Sequence, residues 1–177
     1  MIFDAQQWHR LIILGNAGSG KSTLARRIGK HLGLPVVHLD VLFWEPGWNE
    51  PEIKVFGERV REALVGDQWV CEGNYAKKTF DLRLSRADAV IWLDTPRMTC
   101  TRRVLMRSAL NKPRPDLPFG CSEKLDADFL KFLRFTWNFD RDIRPGIERQ
   151  RREVGPAVPV IHLSGEATIA AFLQSIG

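Results

Sequence analysis

Gly15-Asn16-Ala17-Gly18-Ser19-Gly20-Lys21-Ser22 decides how the rest of this chain is read. It follows Leu11-Ile12-Ile13-Leu14, a short apolar run that reads as a buried strand. It leads into Lys21 to Leu32, where Leu24, Ala25, Ile28 and Leu32 recur at helical spacing until Gly33 stops the helix. A strand, a G-x-x-x-x-G-K-[ST] turn and a helix in that order make a phosphate-binding loop. The glycines let the backbone curl so that several N–H groups face one phosphate chain. The helix adds its positive N-terminal end. Lys21 can reach the β- and γ-phosphates, and the Ser22 hydroxyl suits Mg²⁺, which takes oxygen ligands. The plainer alternative is a glycine turn that only packs a helix on a strand. The expected nucleotide contacts are Gly15, Asn16, Ala17, Gly18, Ser19, Gly20, Lys21, Ser22 and Thr23, with ATP and Mg²⁺ as the ligands.

Outward from the loop, short apolar runs alternate with helical patterns. Strands are expected at Pro35 to Asp40, Trp69 to Cys71, Ala89 to Leu93 and Val158 to Leu163. Val41 to Pro51 reads as an aromatic loop turning at Pro46-Gly47. Ile53, Phe56, Val60, Ala63 and Leu64 share one helical face, and a basic helix runs from Pro96 to about Leu110. Asn111 to Ser122 is a proline-rich loop. Leu125, Phe129, Phe132, Leu133 and Trp137 mark an amphipathic helix. Further helices start at Pro145 and run from Thr168 to Ile176. The pattern predicts an α/β fold: a five-stranded parallel sheet flanked by helices, in one domain over residues 1–177. In such sheets ligands sit beyond the carboxyl ends of the strands, so the residues just after each strand carry the chemistry.

With 177 residues the chain needs no disulfide or metal to hold a core. Cys71, Cys100 and Cys121 are far apart and show no zinc spacing, which suits a reducing cytoplasm. The residues after Met1 do not resemble a signal peptide, and no apolar run is long enough to cross a bilayer. The net charge is +5. It is concentrated between Arg97 and Arg152, which hold 14 basic and 7 acidic residues. A mild basic excess suits a nucleic acid, a membrane surface, a phosphate ligand or no partner at all.

Beyond the loop, GNAGSGKSTLARRIG (15–29), HLDVLFWEPGW (38–48), WVCEGNY (69–75) and RADAVIWLDTPRMTCTRRVLMR (86–107) resemble the nucleoside monophosphate kinases of adenylate kinase type. More closely, they are similar to small bacterial proteins grouped as adenylate kinase-related or DNA topology modulation proteins. The resemblance covers most of the chain. It implies a three-layer P-loop fold with a short lid at about residues 108–145, and transfer of a phosphoryl group from ATP to a small acceptor. A nucleoside monophosphate is one such acceptor.

The resemblance also implies roles. Asp40 would face the acceptor, or merely cap a helix. Glu72, where adenylate kinases carry an aspartate, would hold Mg²⁺, or be a buried acid paired with Lys21 or an arginine. Asn74 and Tyr75 stand where the monophosphate-gripping arginine segment lies in adenylate kinases. Asn74 is therefore an acceptor-side candidate, with Arg83 or Arg86 as replacement cations or as parts of an exposed face. Arg103 and Arg107, four apart on one helical face, would lie over ATP and act in transfer with Lys21 and Asp40. Arg141 and Arg144 would close on the phosphate. Gly165, after the fifth strand, would leave room for adenine. Ring stacking by Trp44, with Phe43 and Trp48, would hold an acceptor ring, or the rings roof the core. His38 and His162 read as packed strand residues. The other functional readings are a nucleotide-binding protein associated with DNA and an ATP-dependent regulatory switch. No membrane partner is expected, and the protein is expected to be a monomer or homodimer.

Overall fold

A computed structural model describes residues 8–110, 116–117, 120–121 and 126–176. Five parallel strands form one sheet: β1 (Arg10–Gly15), β2 (Val36–His38), β3 (Trp69–Glu72), β4 (Ala89–Leu93) and β5 (Val160–Leu163). Their order across the sheet is β2-β3-β1-β4-β5. The helices are α1 (Lys21–Leu32), α2 (Leu39–Phe43), α3 (Ile53–Ala63), α4 (Ala76–Arg83), α5 (Arg97–Leu110), α6 (Ala127–Asp142), α7 (Arg144–Val154) and α8 (Gly165–Ser175).

Strand β1 is apolar from Leu11 to Leu14 because both of its faces are covered there. Leu11 and Ile13 point into a core with Leu24, Ala25 and Ile28 of α1 and Phe172 of α8. Ile12 and Leu14 point the other way, among Phe43, Phe56, Phe80, Phe139 and Ile147. Each such side chain, fully buried, contributes about 1.5–3 kcal/mol. The central strand therefore sits between two helical layers, and its carboxyl end delivers the phosphate loop. In register, Ile13 lies beside Glu72 and Gly15 beside Leu93. His38 pairs with Glu72 across β2 and β3.

Several expectations change. Asp40 does not end a strand; it lies in the first turn of α2, so the segment expected as an aromatic loop begins as helix. Helix α4 was not anticipated, because AKKTFDLR offers few apolar residues to betray an amphipathic face. Helix α8 starts at Gly165, before Thr168. Helix α6 starts at Ala127, where the Asp126 carboxylate accepts the Asp128 and Phe129 amides. Leu125, Arg114 and most of the proline-rich lid segment lie outside the described residues.

Candidate active site

The phosphate loop is built from backbone and braced from behind. Gly20 takes φ 103° and caps α1 with no side-chain bond and no acid in the first turn, which leaves the positive helix end open to the cleft. Gly18 has φ 74°, and a Cβ there would stand 2.5 Å from the Cys100 carbonyl oxygen of α5. Thr95 Oγ1 donates to the Ser19 carbonyl at 3.0 Å, and Arg103 Nη1 donates to the same oxygen at 3.2 Å. Lys21 Nζ donates to the Asn16 carbonyl at 2.9 Å.

Residues 17–23 line a cleft of about 1750 Å³. Ligand pockets commonly measure 300–1,000 Å³, so this one has room for two molecules side by side. Gly15 and Asn16 are corrected: neither lines the cleft. Asn16 is buried and its amide donates to the Thr136 carbonyl of α6 at 2.7 Å. Gly15 is clasped by Asn74, whose Oδ1 accepts the Gly15 N–H at 3.2 Å and whose Nδ2 donates to the Gly15 carbonyl at 3.0 Å. Asn74 also borders the cleft, yet both ends of its amide are committed to the loop.

Ser22 is the meeting point of the two halves. Its hydroxyl lies 3.0 Å from Glu72 Oε1 and 2.9 Å from Asp116 Oδ2. His38 Nδ1 stands 2.8 Å from the same Glu72 oxygen. Glu72 is thus a buried acid, and its partners are His38 and Ser22 in place of the expected lysine or arginine. One hydroxyl proton cannot serve two carboxylates, and a hard cation at this point would satisfy both. The donor set of a hydroxyl and two carboxylates is oxygen only, which fits Mg²⁺. Among the described residues no group of three His, Cys, Asp or Glu side chains stands ready to bind a metal alone. The remaining ligands would be phosphate oxygens and water. His38 and Asp116 were not anticipated. The signal for His38 was its register against Glu72, which requires knowing that β2 and β3 are neighbours.

The wall around Asp40 and Trp44, the expected acceptor side, is built from side chains. Asp40 accepts the Tyr75 hydroxyl at 2.6 Å, and the Trp44 side chain hydrogen-bonds the same phenol. Burial first, then the Asp40 charge, push the Tyr75 phenol far above its ordinary pKa, so it stays protonated as a donor. Trp44 meets Trp48 edge to face at 5.4 Å, and both border the cleft. Trp48 adopts φ 64°, a left-handed backbone that a bulky residue rarely takes. The Glu45–Asn49 bridge holds that turn closed, and Gly120 accepts from the Gly47 amide at 3.3 Å. Lys78 Nζ lies 4.1 Å over the Phe43 ring and 3.4 Å from Glu50.

The arginine expectations divide. Arg103 and Arg107 both line the cleft, and Arg107 lies 5.9 Å over the Phe132 ring. Arg83 is corrected: it is 0% exposed and donates to the Gly73 and Asn74 carbonyls at 2.9 and 2.7 Å. It braces the turn after β3 and does not face the cleft. Burial lowers its pKa, an effect opposed by Cys71 and Glu72. Arg86 binds the Leu64 and Gly66 carbonyls away from the cleft. Arg141 is also corrected: it is 73% exposed, paired with Asp142, and absent from the lining. Arg144 packs on Trp92 and pairs with Asp94 and Glu148. His162 is half exposed and paired with Asp94, so it is not a packed residue. Gly165 borders the cleft with φ 82° and open space where a Cβ would stand.

No family model matches the chain. Cytidylate kinase from Pyrococcus horikoshii is 29% identical over 116 residues, 57% of this chain and 58% of that protein. The match thus spans little more than half of the curated relative. Among solved structures, shikimate kinase from Bacteroides thetaiotaomicron superposes with a TM-score of 0.56 at 17% identity, covering 94% of both chains. Shikimate kinase from Acinetobacter baumannii, in complex with shikimate, gives 0.54 at 18% identity, covering 96% of this chain and 91% of that one. At these identities the likeness is one of fold.

Proposed function

We propose that this chain, which has the fold of the small P-loop kinases, is an ATP- and Mg²⁺-dependent phosphotransferase acting on a small acceptor. The observation that carries the reading is a single cleft bordered by Lys21 and Ser22 on one side and by Asp40 on another. Phosphoryl transfer needs positioning and charge neutralisation more than covalent help. The amides of residues 17–22 would hold the phosphate chain. Lys21 would leave the Asn16 carbonyl for the β- and γ-phosphates. Ser22 and Glu72 would hold Mg²⁺, which would supply neutralisation of phosphate charge. Arg103 and Arg107 would lie over the nucleotide, Gly165 would admit the base, and Asp40 would orient the acceptor.

The cytidylate kinase likeness makes a nucleoside monophosphate one acceptor class. A polyanion-binding role draws little support from the basic segment, because Arg97, Arg107 and Arg144 lie on aromatic rings and Arg141, Arg144 and Arg152 are ion-paired. Among the described residues no helix is long and apolar enough to cross a membrane. The reading expects a cytoplasmic protein working as a monomer or homodimer.

The test is Lys21→Ala. Its ammonium makes one bond, to a main-chain carbonyl, so the melting temperature should stay within a few degrees. Turnover of ATP should fall by about 10²–10³-fold or more, the loss typical of one charge-stabilising donor. Wild-type turnover in this variant would sink the phosphotransferase reading.

A further inference from the structure

We propose that the acceptor is an uncharged alcohol with a flat ring, seated on Trp44 and Trp48 with its hydroxyl toward Asp40, and not a phosphate monoester. This rests on the phosphotransferase reading and names its substrate class.

The first argument is charge. The cleft lining drawn from the connections after β2 and β3 comprises Asp40, Trp44, Gly47, Trp48, Glu50 and Gly73 to Lys78, while Glu72 at the end of β3 belongs with Ser22. Its charged groups are two carboxylates and two lysines, with no arginine. Lys78 is already engaged with Glu50 and the Phe43 ring. A dianionic phosphate would meet a wall with no net positive charge and no planar fork to grip it. The arginine nearest in sequence, Arg83, is buried behind that wall and spends its donors on Gly73 and Asn74. An uncharged acceptor needs no such grip.

The second argument is chemistry. A phosphate acceptor already carries an ionised oxygen near neutral pH, whereas an alcohol must lose a proton during transfer. Asp40 is aimed for that purpose by a chain of hydrogen bonds from Trp44 through Tyr75. In the step, the acceptor hydroxyl oxygen forms a bond to the γ-phosphorus. The bond from that phosphorus to the β–γ bridging oxygen breaks, and its electron pair leaves with ADP. The hydroxyl proton passes to Asp40 and on to solvent. The products are a phosphate monoester, ADP and one proton.

The third argument is shape. Phe43 and Phe56 of the same ring cluster are buried core, but Trp44 and Trp48 are only partly covered and face the cleft. Trp48 is held there against its backbone preference by the closed turn from Glu45 to Asn49. Two indoles at right angles give a flat ring one face to stack on and one edge to abut.

Matched pairs test this: the four ribonucleosides and pyridoxine against their own 5′-phosphates. Binding is measured by calorimetry in the presence of Mg²⁺ and a non-hydrolysable ATP analogue, and transfer by ³¹P NMR with ATP. At least one neutral compound should bind ten-fold or more tighter than its phosphate and be phosphorylated. Trp44→Leu and Trp48→Gly should each weaken it ten-fold or more, and Trp44→Phe should restore binding to within about three-fold. Trp48→Gly suits the left-handed backbone, so it serves if Trp44→Leu does not fold. The proposal is overturned if a phosphate binds better than its parent, if no neutral compound binds, or if binding ignores both tryptophans. Transfer to monophosphates alone would overturn this inference and leave the phosphotransferase reading standing. Lys21→Ala tests that reading separately.

Discussion

The two walls of the cleft are made in different ways. The nucleotide wall is backbone: a loop of small residues whose carbonyls are held by Thr95 and Arg103, with Gly18 pressed on the Cys100 carbonyl. The acceptor wall is side chain: two indoles, a phenol and a carboxylate mounted on a five-residue helix and a tight turn. A backbone wall tolerates almost no change of shape and, on the proposed reading, would recognise what all nucleoside triphosphates share. A side-chain wall can be rewritten one residue at a time, and on the same reading acceptor identity would be stored there.

The strongest way to break this contrast is to add one carbon to the nucleotide wall. A Cβ at Gly18 would lie 2.5 Å from a carbonyl oxygen and 3.1 Å from Val104 Cγ2, and φ there is +74°. Neither the loop nor α5 can retreat without losing the contacts behind it. Gly18→Ala should cost about 1–3 kcal/mol of stability and abolish measurable ATP binding by calorimetry. Retention of wild-type ATP affinity would show the loop to be more plastic than its packing implies.

Asn74 sharpens the contrast, since it stands at the border. By position it belongs to the acceptor side; by hydrogen bonding it belongs to the phosphate loop. Removing both bonds at about 0.5–1.5 kcal/mol each should cost on the order of ten-fold in turnover. Asn74→Ala should therefore lower kcat while the KM for the acceptor stays within about two-fold. A change confined to acceptor KM would return Asn74 to the acceptor wall.

The same division governs what the chain revealed before folding. The phosphate loop was legible because strand, turn and helix are consecutive in sequence, and so was the facing of Arg103 and Arg107, four residues apart on α5. The acceptor wall was legible as residues, in Asp40, Trp44 and Trp48, but not as a bonded unit. Asp40 and Tyr75 are joined across 35 positions, Ser22 and Glu72 across 50, and Ser22 and Asp116 across 94. Arg83 was misread for the same reason. An arginine in a weakly patterned stretch looks exposed until the turn at Gly73 and Asn74 folds over it and supplies two carbonyls. Tertiary placement decides such residues, and no local pattern encodes it.

Thiol chemistry gives the mildest probe of the two walls. Burial raises the pKa of both Cys71 and Cys100 to about 11, against opposing effects of Arg83 on the first and Lys21 on the second. Cys100 underlies the phosphate loop, and Cys71 lies beneath the turn after β3. At pH 8 both should be almost wholly protonated and react slowly with a thiol reagent such as DTNB. Cys121, part-exposed beside the acceptor turn with its Sγ 3.2 Å from the Glu45 carbonyl, should be labelled first, giving one fast equivalent. The folded state holds the two buried thiols protonated more tightly than the unfolded chain does. Their contribution to stability is therefore complete below pH 9 and is lost as pH rises through about 11. If Gly18→Ala lifts the loop from α5, Cys100 should become a second fast thiol while Cys71 stays slow. Equal acceleration of both would mean that the substitution loosens the whole sheet, and the two walls would not be separable.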